Sequence, residues 1–446
     1  MSERYEELSN EKISVLLRRY SIPSIVSMVV VALYNIVDRI YIGQGVGTMA
    51  ISGLTLTFPI SAIVSAIGTL VGVGAGTRIS IVLGMKDMNW AKNILGHVPI
   101  LTLIMSTIFI IPTYIFLEPI LMLFGASEAT LPYAVEYLNI IIPASVFTNI
   151  CFSLSSVMRG GGFPEKSMIT ILIGVIINII LDPIFIFGFD MGIKGAGLAT
   201  AISMFIGAVF AIVHFTNKKN DLSFCKGCFK MKWNIVKHIF SIGFSPFIMN
   251  FISCGIVIII NIQILKYGGD IAIGAFGIIN SYQMLMSFII VGLCQGMQPI
   301  IGYNYGANNL NRVKETFFLT SKIATIIFTI GFLFVEIFPE YATRLFTTDA
   351  KLIAFSIDGL RITSCVWFTI GIQIVIANYF LAINKVVISI ILTTARQLIY
   401  LIPTLIFLPT ILGLNGVWWA IPISDFLAFS TAIFFLLKEK NLRTKK

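Results

Sequence analysis

Two aspartates, Asp38 and Asp182, lie inside long apolar runs. A charged side chain is costly at such a position and is retained chiefly for ion pathways and proton relays. Asp38 is five residues before Gly43 and Asp182 is six before Gly188. If each run is an outward-running helix, both carboxylates lie roughly 8–9 Å below its end, at about 1.5 Å per residue. Thr200, in the next apolar run, falls roughly 10 Å from the same surface. Asn178 precedes Asp182 by four residues and so shares its helix face. Two carboxylates, an amide and a hydroxyl at one level form an oxygen-lined site for a proton or a hard cation. The plainer alternative is that the aspartates hydrogen-bond to neighbours and pin helices together.

A second pair of charges, Arg396 and Asp425, sits about ten residues from the inner ends of two later runs. The expectation there is a midplane ion pair that fixes helix register, since breaking one costs roughly 3–5 kcal/mol. Other motifs carry less. Gly72, Gly74 and Gly76 form a G-x-G-x-G within an apolar run, which reads as close helix packing rather than nucleotide binding. Cys225 and Cys228 form a lone C-x-x-C in a polar loop, half of a zinc site at most, and read as reduced thiols. His97, His214 and His238 fall near helix ends and supply no catalytic cluster. No G-x-x-x-x-G-K-[ST] loop and no H-E-x-x-H occurs, and no resident metal is expected beyond a coupling sodium ion. Met284, Met286 and Phe288 face lipid or neighbouring helices in the plain reading, although soft methionine surfaces also suit varied ligands.

The elements that must position these residues follow from composition. Hydrophobic residues make up 57% of the 446 positions and charged ones 12%, with mean hydropathy +0.93, a balance that places the chain in a bilayer. Twelve runs are long enough to span it, near 14–42, 53–80, 93–117, 133–157, 166–188, 193–215, 235–265, 275–300, 316–338, 355–382, 386–409 and 414–437. The fold class is therefore all-α integral membrane. The polar start, MSERYEELSNEKISVLLRRY, has no apolar core of a cleavable signal. Lys and Arg concentrate on one side. The inner segments hold twenty-two, including Lys440, Arg443, Lys445 and Lys446, whereas the outer ones hold only Lys194, Lys266, Arg344 and Lys351. The positive-inside rule then places both termini in the cytoplasm. That asymmetry accounts for the net charge of +10 without a nucleic-acid partner.

The chain also repeats itself. Gly74 and Gly84 align with Gly296 and Gly306 at a shift of 222, and Gly192, Gly195 and Ala199 align with Gly413, Gly416 and Ala420 at 221. Six runs per copy is an even number, so the copies are parallel repeats about an axis along the membrane normal, an arrangement suited to alternating access. The expected organisation is a six-helix lobe over 1–216, a linker over 217–237 and a second six-helix lobe over 238–446. The copies have diverged at the charged positions. Asp38 aligns with Ile260, Asn178 with Ile399 or Tyr400, Asp182 with Pro403 or Thr404, and Thr200 with Ile421 or Pro422.

Twelve runs in two parallel halves, with ALYNIVDRIYIG, MRGGGFPEKS, INIILDPIFIFG and GIKGAGLATAIS, resemble the multidrug and toxic compound extrusion (MATE) family over essentially the whole chain. The likeness is nearer to the DinF-like branch and its bacterial MepA-like relatives than to the NorM branch. It implies that Asp38, Asn178, Asp182 and Thr200 bind H+ or Na+ and that Pro23 marks a bend in the first helix. It implies no second-lobe ion site, because the acids of the NorM branch are missing from the seventh and eighth runs. The expected activity is antiport of amphipathic, often cationic organic compounds against that ion. No cofactor beyond the ion is expected, and the expected state is a monomer in a bacterial inner membrane, in contact with lipid. A lipid-linked oligosaccharide flippase of the same superfamily is the alternative within the class, and an intramembrane enzyme the alternative outside it.

Overall fold

The computed structural model describes residues 3–439, apart from Gly47, Gly125, Ala129 and Thr348. Lys440, Arg443, Lys445 and Lys446, counted above for orientation, lie outside the described residues. A short amphipathic helix, α1 (Glu3–Asn10), precedes α2 (Ile13–Gly45), α3 (Thr48–Gly84) and α4 (Met88–Ile115). The short α5 (Leu117–Leu123) is followed by α6 (Leu131–Gly160), α7 (Pro164–Pro183) and α8 (Gly192–Thr216). The second half begins with α9 (Trp233–Gly306), whose backbone breaks at Gly269 with φ 67°, giving two spans. Then come α10 (Leu310–Ile337), α11 (Pro339–Arg344), α12 (Ala350–Ser364), α13 (Trp367–Ala382), α14 (Val386–Thr394), α15 (Ile402–Leu412) and α16 (Leu414–Lys438). Eleven helical spans among the described residues are long and apolar enough to cross a bilayer, and α12 with α13 supplies a twelfth, bent by 51°. No strand occurs among the described residues.

The bend in the twelfth span replaces the continuous run expected over 355–382. No proline or glycine marks it. Thr363 donates its hydroxyl to the Gly359 carbonyl at 2.8 Å and Ser364 donates to Arg361 at 3.3 Å. Such back-bonding competes with the helix ladder and bends it. Two spans also contain π-helical turns, Ile184–Gly188 after α7 and Ala395–Leu401 between α14 and α15, a local widening that recurs at functional sites.

Several of the glycines that reveal the repeat sit where no side chain fits. A Cβ placed on Gly84 would lie 2.0 Å from the Tyr303 carbonyl oxygen, and one on Gly306 would lie 2.0 Å from that of Ile81. The two glycines thus face each other across the axis relating the halves. Gly74 would clash with the Ile239 carbonyl oxygen, and Gly292 with the Ile25 backbone. The glycine-rich stretch of α3 therefore packs on both sides: Gly72 and Gly76 abut Ser153 and Ser156 of α6, while Gly74 abuts the first span of α9. Gly192 and Gly413 start equivalent helices with φ 55° and 59°, values that glycine adopts without strain.

Contacts between the halves cluster on the side bearing the termini. Ser21 donates to the Leu293 carbonyl at 3.3 Å, and beside the first half the connecting segment is held as well, Lys232 N–H donating to His97 Nε2 at 2.8 Å. The α1 segment is held from the second half as well. Arg312 donates to the carbonyls of Leu8 (3.2 Å) and Glu11 (2.6 Å), and Asn304 donates to Leu8 (3.1 Å). These are the orphan carbonyls at a helix C-terminus, which basic and amide donors satisfy well. Tyr5 and Leu8 of α1 are buried beneath them.

Candidate functional site

Helix α2 carries Asp38 on the face that meets α7, and α7 carries Asn178 and Asp182 one turn apart toward α8 and Thr200. Asp38 is 6% exposed, and Asn178 and Asp182 are fully buried. The Asp38 carboxyl is in hydrogen-bond contact with Asp182. With its amide oriented to match its neighbours, Asn178 donates to Asp182 Oδ2 at 2.9 Å. Its oxygen then accepts from the Thr200 N–H and hydroxyl, both at 3.2 Å. Asp38, Asn178, Asp182 and Thr200 thus form one connected polar cluster. Asp38 and Asp182 act on each other, and among the described residues no basic side chain acts on Asp182. Two carboxyls can share a hydrogen bond only when one bears a proton. Otherwise a cation must supply the missing charge.

Two further members were not singled out from the sequence. The Tyr34 hydroxyl lies 3.5 Å from Thr200 Oγ1, and Tyr137 of α6, 8% exposed, reaches the same Thr200 hydroxyl. Tyr34 precedes Asp38 by one helical turn, a readable spacing. Tyr137 comes from a helix distant in sequence and carries no local signal. Pro23 lies inside α2, ten residues after its start. It cannot donate to the preceding turn, and Ser27 donates to the Pro23 carbonyl at 2.8 Å.

Arg396 and Asp425 meet as a buried ion pair in the second half, with Arg396 Nε 2.5 Å from Asp425 Oδ1. Asp425 is 1% exposed, and its second oxygen has no donor among the described residues. The π-helical turn at Ala395–Leu401 presents Arg396 and Gln397 to a cavity of about 440 Å³ between the halves. Met28, Phe152, Arg159, Met249 and Phe288 also line it, and no carboxylate does among the described lining residues. Arg159 is held by the hydroxyls of Ser167 (2.8 Å) and Ser156 (2.9 Å).

The remaining motifs are structural in their contacts. Gly96 lets the Cys228 backbone seat against α4, and Cys225 N–H donates to Cys228 Sγ at 3.3 Å. Both cysteines are free thiols, and burial pushes the Cys228 thiol up. His97 accepts from the linker at Nε2 while its Nδ1 meets the Asn93 carbonyl at 2.7 Å, which fixes the neutral Nδ1–H tautomer.

Known proteins share this fold. The multidrug export protein MepA of Staphylococcus aureus is 31% identical over 423 residues, 94% of this chain and 93% of its own length. MepA of Staphylococcus haemolyticus is 31% identical over 425 residues, 95% and 93% of the two chains. A solved structure of the MATE multidrug transporter DinF-BH, in complex with a small molecule, is 36% identical, with TM-score 0.90 over 96% of each chain. A MATE structure in a bent conformation, 23% identical, has the same fold, with TM-score 0.92 over 99% of this chain and 100% of that one. The family model described as MatE matches twice, at residues 23–184 and 246–406, once in each half. With a polar cluster in one half, an ion pair in the other and a cavity between, the chain belongs to the MatE family.

Proposed function

We propose that the protein is a secondary antiporter that exports amphipathic, often cationic organic compounds in exchange for H+ or Na+. The observation that carries this reading is the contact between two buried carboxyls, Asp38 and Asp182, with no basic side chain acting on Asp182 among the described residues. Such a pair needs a proton or cation to balance it and loses that balance when the ion leaves. The relatives named as multidrug export proteins support the substrate class. Apolar and aromatic side chains of the central cavity suit amphipathic bodies.

Transport requires the two halves to rock about the glycine contacts at Gly84 and Gly306, exposing the cavity to each side in turn. Both termini lie in the cytoplasm of a bacterial inner-membrane protein that works as a monomer, and the contacts made by α1 then seal the cytoplasmic side. The lobes extend over 1–216 and 238–446, with 217–237 as the linker between them. Ion and compound need only favour opposite states for exchange to follow. A membrane potential of 100 mV is worth about 2.3 kcal/mol per charge, yet a one-for-one swap of monovalent cations moves no net charge. Export of a monocation at that ratio therefore runs on the ion gradient alone.

Proteoliposomes with separately imposed proton and sodium gradients test the proposal. Efflux driven by a pH gradient without sodium identifies the proton as coupling ion, and a strict requirement for sodium identifies Na+. Efflux indifferent to both gradients would overturn the antiport reading.

A further inference from the structure

Four glutamines of the second half line the central cavity; Gln298 donates to Asn378 Oδ1 at 2.8 Å, and the other three are Gln295 of α9, Gln373 of α13 and Gln397 of the π-helical turn. The carbonyl oxygen of each of these three is buried and has no hydrogen-bond donor among the described residues. Gln373 as a whole is only 4% exposed. They share a depth. Gln295 is eleven residues from Gly306, Gln373 nine from Ala382 and Gln397 eleven from Val386. At about 1.5 Å per residue all three lie roughly 14–17 Å from the termini side, near mid-membrane.

We infer that these glutamines form a hydrogen-bond-accepting subsite for the exported compound, selecting molecules that present an N–H or O–H donor. The inference rests on the transport reading above and names the chemistry its cavity recognises. A buried amide oxygen without a donor costs about 1–3 kcal/mol, so a donor-bearing ligand recovers stabilisation that the protein alone forgoes. Two neighbouring donors are already committed. Gln397 Nε2 donates to Ser253 Oγ at 2.9 Å, and Arg396 beside it is engaged by Asp425. The apolar body of the compound lies against Phe152 and Phe288, which line the same cavity. A site built to accept hydrogen bonds rejects analogues without the donor far better than an apolar wall rejects a missing methylene.

The test uses two fluorescent monocations of identical ring body, one ending in dimethylammonium with one N–H, the other in trimethylammonium with none. In proteoliposomes, the parent protein should take the dimethyl compound at a half-saturating concentration about tenfold lower than the trimethyl compound. Gln373→Met should raise that concentration about tenfold for the dimethyl compound and leave the trimethyl compound unchanged. Its detergent melting temperature should equal or exceed the parent's, because an unpartnered buried acceptor has been removed. Equal handling of the two compounds by the parent overturns the subsite, as does a Gln373→Met variant that weakens both alike. Export of neither compound under any ion gradient overturns the transport reading itself.

Discussion

Each half of the molecule buries acid in the membrane, and the two halves balance that charge in opposite ways. In the first, Asp38 faces Asp182, with only neutral groups beside that pair among the described residues. In the second, Asp425 faces Arg396 at 2.5 Å. Where the repeat places Pro403 or Thr404 opposite Asp182, the hydroxyl of Thr404 pairs with that of Ser424 at 3.0 Å. At these positions the second half has no acid pair and holds a closed ion pair instead. A site that must bind and release an ion needs an incomplete charge balance, whereas a site that fixes two helices needs a complete one. The family model matches one scaffold twice, and among the described residues the acid pair lies in the first copy.

The largest test of this contrast removes the first half's charge. Asp38→Asn and Asp182→Asn should reach the membrane at parental levels and lose gradient-driven export down to background, since an amide neither exchanges a proton nor offers its full charge to sodium. Parental export rates in both variants would break the contrast at its source.

Next in size is the second half. Asp425→Ala or Arg396→Ala leaves one buried charge uncompensated and should destabilise the protein by roughly 3–5 kcal/mol, read as a lower melting temperature in detergent. Exchanging the two residues should restore part of it. Single variants that melt with the parent but no longer transport would move this pair from structure to ion pathway.

The contact between the halves is smaller in effect. Arg312→Ala removes a cationic donor from the Leu8 and Glu11 carbonyls. The expected loss is roughly 1.5–3 kcal/mol of the closed arrangement, seen as greater protease or thiol-reagent access to the seal on the termini side. Unchanged access would show that the α1 contact contributes nothing to closure.

The smallest effect concerns the linker joining the halves. An impermeant maleimide should label Cys225 from the cytoplasmic side only, and labelling in intact cells would reverse the topology. Cys228, 1% exposed, should react more slowly. Its thiol is raised by burial, so little reactive thiolate forms near neutral pH and labelling should climb as pH rises into the alkaline range.

Much of this contrast was readable in the chain itself. Charged residues in apolar runs are rare enough that Asp38, Asp182, Arg396 and Asp425 stood out singly, and helical rise brought each pair to one depth. The repeat was legible because Gly84 and Gly306 sit where backbone meets backbone, and only glycine fits there. Other features left no local trace. The bend between α12 and α13 arises from hydroxyl back-bonding at Thr363 and Ser364, and those residues are ordinary in membrane helices. Tyr137 joins the acid cluster through the packing of α6 on α8. The three glutamines share a cavity through tertiary arrangement, with no common spacing in the sequence. The π-helical turns depend on how one turn of backbone widens, which residue type does not specify.

The grip of Arg312 on α1 also bears on how the chain is made. Leu8 and Arg312 are 304 positions apart, an interval of roughly 15–60 s at cellular rates of synthesis. The first helix must therefore wait at the membrane surface, its last carbonyls turned to water, while eight spans are threaded behind it. Closure of this seam becomes a late event in biogenesis, and a nascent chain halted before α10 has no means to complete it.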